Sequence, residues 1–283
     1  MNNVKIICDS LSDIPKDLIE KYDIDVVPLT VILNDKEYRD GIDISNDEFY
    51  RILREENAHP KTSQATYAQF KEFFEKYVNE GREVLYIAGS SVATGTYQSA
   101  VMAKNDLEGT IHTFDSASFS FGIGILVVKA GELAKEGKSI DEILSTIEKM
   151  KKEVFVLFSV DTLEYLQKGG RISSTKAAIG SILNIKPILE IKNGLVAPIC
   201  QVRGKKNVIS KIIELLKEHC GNDLSDQIAY VGYSDDLKEK EKLAEAVREN
   251  LNPKDIVFFQ IGTCVGTHSG PGGTGIICLK NNI

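Results

Sequence analysis

The stretch that decides the fold is Glu83–Ser116, "EVLYIAGSSVATGTYQSAVMAKNDLEGTIHTFDS". Its apolar run Val84-Leu85-Tyr86-Ile87 gives way at Ala88–Ala100, "AGSSVATGTYQSA", to small hydroxyl residues set around two glycines. A second strand-like run, "TIHTFDS", follows. Strand, turn, helix and strand in this order form the repeating unit of a parallel sheet covered by helices. Three readings compete for the hydroxyls: a helix cap, a cradle for an anion, or a nucleophile site. The stretch is not a P-loop, which needs a lysine before the hydroxyl, and it lacks a G-x-S-x-G elbow. Cap and cradle stay open, and one turn can serve as both.

The alternation extends in both directions. "VKIICD" predicts a strand, "IPKDLIEKY" a helix with Pro15 near its start, and "DVVPLTVIL" a single strand. Phe49, Ile52 and Leu53 fall at helical spacing in "SNDEFYRILREEN", with Ser45 and Glu48 as a capping box. "TYAQFKEFFEKYVNEG", "GIGILVVKAGELAKEG" and "SIDEILSTIEKMKKE" are further helices. Beyond Lys151–Glu153 the texture changes, and "KPILEIKNGLVAPICQV" reads as a hairpin about Asn193-Gly194. The expected fold is therefore α/β in two domains. Residues 1–152 form a mainly parallel sheet with helices on both faces, and residues 153–283 a mixed sheet containing the hairpin.

Composition excludes some functions. The chain has 34 Lys+Arg against 41 Asp+Glu, a formal charge of −7. Nucleic-acid binding needs the opposite balance. Met1 leads straight into a strand rather than a signal segment, and "FSFGIGILVV" is too short to span a bilayer. The five cysteines are scattered without C-x-x-C spacing, which fits reduced thiols in a cytoplasmic protein. No H-x-x-x-H pair suggests a metal, and no cofactor is expected.

Four segments at strand ends offer groups suited to an anion. In "HPKTSQATY", Thr62 or Ser63 is either an N-cap for the helix that follows or a donor to a bound anion. The second is the opening turn. In "QKGGRISSTKAAIG", Arg171 follows two glycines and is either a surface ion-pair partner or a carboxylate or phosphate ligand. In "GTHSGPGGTG", His268 sits in a glycine-rich segment expected to form an irregular loop that buries little. His59, His112 and His219 have no partners suggested by spacing.

These segments, in this order and together with "CDSLSDIP", "YRDGIDIS", "FDSASFSFGIG", "LNIKPIL" and "VRGKKN", resemble the DegV family of bacterial fatty-acid-binding proteins. The resemblance covers nearly the whole chain. It implies a long-chain fatty acid held between two α/β domains, with Thr62 and Thr94 on its carboxylate and His268, Arg171, Thr267 and Gly95 around the headgroup. It further implies a carrier that is not an enzyme by itself. Such a carrier presents the fatty acid to an ATP-binding fatty acid kinase subunit, yielding an acyl phosphate for phospholipid synthesis. Arg203 is then a contact for that partner or for transient membrane docking. Here "ATGTY" stands where the family usually has Leu-Ser-Gly-Thr-Tyr, so Thr94 keeps the hydroxyl but adds a stiffening methyl. "TSQATY" also lacks the proline common after T-S-Q. The competing reading is a stand-alone enzyme acting on a small phosphorylated or acylated substrate, with Thr94 or His268 as catalyst.

Overall fold

Val84, Leu85, Tyr86, Ile87 and Ala88 are all buried, as a strand covered on both faces requires. The computed structural model describes residues 3–56, 58–172 and 184–281. In chain order the first elements are β1 (Val4–Asp9), α1 (Lys16–Lys21), β2 (Ile24–Val27), β3 (Thr30–Leu33), β4 (Lys36–Arg39), α2 (Asn46–Glu56) and β5 (Lys61–Ser63). Next come α3 (Tyr67–Asn79), β6 (Glu83–Ala88), α4 (Thr96–Asn105), β7 (Ile111–Asp115), α5 (Phe121–Lys135) and α6 (Ile140–Glu153). The second half begins with β8 (Val154–Ser159), α7 (Glu164–Gly169), β9 (Ile185–Lys192), β10 (Leu195–Arg203) and α8 (Val208–Cys220). It ends with β11 (Ile228–Tyr233), α9 (Leu237–Leu251), β12 (Asp255–Gln260), α10 (Thr263–Ser269) and β13 (Thr274–Leu279).

The architecture is α/β. A parallel sheet of order β2-β1-β6-β7 occupies the first half, and a mixed sheet of order β10-β9-β8-β13-β11-β12 the second. Only β11 and β12 run parallel in the mixed sheet. The hairpin turns at Asn193-Gly194, both at positive φ, the signature of a two-residue type I′ loop.

Helix α5 explains its own composition. Ten of its fifteen residues are buried, because it packs on β1 and β6 on one side and on β8 on the other. Phe121, its first residue, stacks on Tyr230 and Phe259 with ring centroids 4.6 and 5.1 Å apart. One core cluster thereby runs from the parallel sheet into the mixed sheet. A second lies beneath α8 and α9 on the far face.

Three expectations require correction. "DVVPLTVIL" is not one strand: Pro28, which lacks an N–H, ends β2, and the chain crosses into a small antiparallel sheet of order β4-β3-β5. Asn34 and Asp35, both at positive φ, form the two-residue turn between β3 and β4. Thr62 and Ser63 do not cap α3; they lie in β5, and Thr66 caps the helix with Gln69 in a reciprocal capping box. "GTHSGPGG" is not an irregular exposed loop. Its first four residues complete α10, and its glycines serve close packing: a Cβ on Gly266 would lie 2.4 Å from the Tyr50 hydroxyl.

Candidate functional site

Against the mixed sheet, beside the residues that follow β1, β2, β6 and β7, lies a cavity of about 460 Å3. Its apolar wall includes Leu11, Leu29, Val156, Phe158, Ile191, Val196, Phe259, Ile261 and Ile277. Polar groups enter from Thr62, Ser63 and Gln64 at the end of β5, Thr94 in the opening turn, Ser120 before α5, Arg171 after α7, and His268 and Ser269 on α10. A pocket of this size with a mostly apolar wall and few polar groups suits an amphiphile.

Thr62 and His268, 206 residues apart, meet with Oγ1 and Nε2 at 2.9 Å. His268 Nδ1 is buried without a partner among the described residues. It faces Gly169, where a Cβ would lie 2.3 Å away. With the neutral ring's proton on Nδ1, Thr62 Oγ1 donates to Nε2; with it on Nε2, the ring donates to Thr62 Oγ1. In the second case the Thr62 hydroxyl proton is free for an acceptor in the cavity. Burial, and secondarily the Arg171 charge, push His268 down to about 4, so the ring is neutral near pH 7. An anion placed beside it would oppose both causes.

The two glycines before Arg171 have separate tasks. Gly169 admits the imidazole, while Gly170 takes the left-handed conformation, φ 68°, that ends α7. The N–H groups of Gly170 and Arg171 close onto the carbonyls of Gln167 and Leu166, and the Arg171 guanidinium donates to the Gly169 carbonyl. Arg171 is thereby turned toward the cavity and His268. Residues 173–180 of the same segment lie outside the described residues.

The hydroxyls of the opening turn each have a partner. Ser90 Oγ donates to the Gly194 carbonyl at 2.7 Å, tying the turn to the β9–β10 hairpin, and Ser91 Oγ donates to Asp115. Thr94 Oγ1 accepts from the Thr96 N–H at 3.2 Å and pairs with the Thr96 hydroxyl at 2.9 Å. Thr94 thus serves the start of α4 and also lines the cavity. Ser99 accepts from Gln64 Nε2 at 3.0 Å.

Thr62, Thr94, Arg171 and His268 all reach the cavity, whereas three other predicted residues do not. Thr267 is buried and its hydroxyl donates back to the Thr263 carbonyl at 2.9 Å. Gly95 lies behind the wall, where a Cβ would sit 2.0 Å from Gln64 Oε1, so it makes room for that side chain. Arg203 is exposed at the end of β10, away from the cavity lining. Gln64, Ser120 and Ser269 line the cavity without having been singled out from sequence. For Gln64, the adjoining T-S-Q run was the available signal. Among the described residues, no three His, Cys, Asp or Glu side chains are grouped to hold a metal ion, and no helix is long and apolar enough to cross a membrane.

The comparisons agree with this geometry. The family model described as an uncharacterised protein of the DegV family matches residues 3–281. A DegV domain-containing protein of Caldanaerobacter subterraneus is 40% identical over 277 residues, covering 98% of each chain. A structure described as fatty acid binding of a DegV family protein from Thermus thermophilus superposes with a TM-score of 0.89 at 33% identity, covering 97% of this chain and 98% of that one. The crystal structure of DegV, a fatty acid binding protein from Bacillus subtilis, gives 0.86 at 33% identity with 99% of both chains covered. Sheet order, cavity and sequence relationship lead to one assignment: this chain belongs to the DegV family.

Proposed function

We propose that this protein is a cytoplasmic carrier that holds a long-chain fatty acid between two domains, residues 1–152 and 153–283. The observation that carries the reading is an apolar cavity with the Thr62–His268 pair, Thr94 and Arg171 in its wall. A sixteen-carbon chain would bury roughly fourteen CH2 groups at about 0.8 kcal/mol each, about 11 kcal/mol gross before association costs. Hydroxyl donors from Thr62 and Thr94, with Arg171 nearby, orient the carboxylate and contribute about 1.5–3 kcal/mol each as charge-assisted bonds.

The carrier role extends to a partner. We propose that the carboxylate is presented to a separate ATP-binding fatty acid kinase subunit. There a carboxylate oxygen attacks the γ-phosphorus, the bond to the β,γ-bridging oxygen breaks, and ADP leaves an acyl phosphate behind. Arg203, exposed on β10, is the proposed contact for that subunit or for transient membrane docking. The alternative of catalysis by this chain alone has Thr94 paired with Thr96 rather than a base, and although His268 meets the Thr62 hydroxyl, no third group among the described residues orients its ring at Nδ1.

Organic extraction of the purified protein followed by mass spectrometry tests the reading. Long-chain fatty acid is expected in the extract, or is taken up when added. Finding neither would overturn it.

A further inference from the structure

Helix α10 carries His268, but it has only seven residues and follows Gly262, which has no side chain to cap it. So short a helix does not hold itself together in isolation. Its N-terminus is met by two carboxylates from the other end of the chain. Asp13 Oδ1 accepts from the Gly262 N–H at 2.9 Å, and Asp40 Oδ1 accepts from the Thr263 hydroxyl at 2.6 Å. The Asp40 carboxylate also faces the N–H groups of Thr263 and Cys264. Gly262 is crowded by Asp13: a Cβ there would lie 2.5 Å from Asp13 Oδ1, with Asp40 Oδ1 in ordinary contact at 3.7 Å. The second Asp13 oxygen accepts from Ser120, which itself lines the cavity.

We infer that Asp13 and Asp40 act as a cap supplied from outside the helix, which positions α10 and so sets where His268 stands against Thr62. The physical basis is ordinary: side-chain oxygens accept from the first amides of a helix, and Asp13 and Asp40 do so although burial raises both carboxyls above the usual range. What is unusual is their origin more than 220 positions away in sequence. The other groups facing α10 are Tyr50, packed on Gly266 with its hydroxyl donating to the Ile261 carbonyl at 3.0 Å, and Thr62 and Arg171 on the His268 side. None of these meets its N-terminal amides. Asp13 and Asp40 are positioning residues, and their effect on the ligand rests on the fatty-acid reading above.

The test uses full-length protein carrying Asp40→Ala, Asp40→Asn or Gly262→Ala, with two readouts. One is the His268 ring titration, followed by NMR without ligand; the other is palmitate affinity. Asp40→Ala is expected to weaken palmitate binding about tenfold, the scale of a lost helix cap. Asp40→Asn keeps an acceptor at Oδ1 and should recover most of that loss. The His268 titration should move up from about 4, because a loosened helix returns the ring to water. The shift of the ring comes from burial and Arg171 and not from Asp40, so an upward move reports positioning and a downward move overturns the inference. Wild-type titration and affinity in a folded Asp40→Ala protein would overturn the inference. If that variant does not fold, Gly262→Ala, whose methyl displaces Asp13, must give the same two shifts, and an unchanged titration there is equally fatal. If wild-type protein takes up no palmitate, the fatty-acid reading fails and the titration alone decides.

Discussion

Replacing Gly169 by alanine places two effects of opposite sign at one position. Gly169 is the last residue of α7 and has no positive φ, so alanine fits the backbone and gains up to about 1 kcal/mol of helix propensity. The added methyl, however, would lie 2.3 Å from His268 Nδ1, 3.2 Å from Cε1 and 3.3 Å from Cγ. The ring cannot yield easily, since Nε2 is engaged with Thr62 and the imidazole is largely buried. Overpacking of this kind costs about 1–3 kcal/mol, so the variant is destabilised by up to about 2 kcal/mol net. Displacing the ring also breaks the Thr62–His268 bond, worth about 1 kcal/mol, or about a fivefold loss of fatty acid affinity. Gly170→Ala is the control. Its Cβ meets nothing within 4 Å, but φ is +68°, so it should lose about 1–2 kcal/mol of stability with affinity intact. Chemical denaturation and a fluorescent fatty acid displacement assay on both variants measure the two quantities. A Gly169→Ala protein with wild-type affinity, or a Gly170→Ala protein equally impaired in binding, would refute the division of labour between the glycines.

Stability should depend on pH through His268 with a definite sign. Its folded value of about 4 lies below the unfolded value near 6.5, so the unfolded chain binds more protons between those values. The stability difference between wild type and His268→Gln should therefore rise with pH across that window, by at most about 3 kcal/mol, and a flat difference would exclude a buried neutral ring. Asp9 acts in the opposite direction: burial raises it to about 6, so its contribution falls as pH rises from about 4 to about 6. Wild-type stability measured alone will consequently understate the histidine effect. Thr94→Ala should weaken fatty acid binding by about tenfold to a hundredfold through one lost charge-assisted donor, and Thr94→Ser should restore it; an unchanged Kd for the alanine variant would remove Thr94 from the headgroup. Gly232→Ala sets a methyl 2.3 Å from Phe259 Cζ in the cavity wall, and should shift the fatty acids recovered by extraction toward shorter chains.

The parallel sheet was legible because β1 and β6 are apolar runs separated by amphipathic helices, a pattern set by burial on both faces. The small sheet was not, since β4 and β5 have only four and three residues and mostly exposed side chains, leaving too little periodicity to read. Thr62 was found for a mixed reason. Its place before a helix suggested a cap, yet Thr66 and Gln69 form that cap, in a T-x-x-Q pattern visible from the start. Once β5 is recognised, Thr62 is freed to face the cavity. Glycine density near His268 misled in a more general way. Glycine allows disorder and also close approach, and only the neighbours decide which: Tyr50, Asp13 and Tyr165 press on Gly266, Gly262 and Gly270. Asp13 and Asp40 left no readable signal, because a cap given across the fold has no fixed spacing to its helix.

These contacts make the polar end of the cavity a product of tertiary assembly. Thr62 and Thr94 come from the first half of the chain, and His268 and Arg171 from the second. The pair at its centre forms only when β5 and α10 are docked. A ligand touching both sides binds the docked state and not the separated halves, so its affinity appears as stability of the whole chain. At a free concentration one hundred times its Kd, a fatty acid should raise unfolding stability by about 2.7 kcal/mol. Removing Thr62 should then reduce that increment more than it reduces the stability of the empty protein. The empty protein loses only one hydrogen bond, whereas the liganded protein also loses a donor to the bound carboxylate. A thermal shift series of wild type and Thr62→Val, each with and without palmitate, separates the two losses. Equal losses in both states would mean that Thr62 supports the fold and does not reach the ligand.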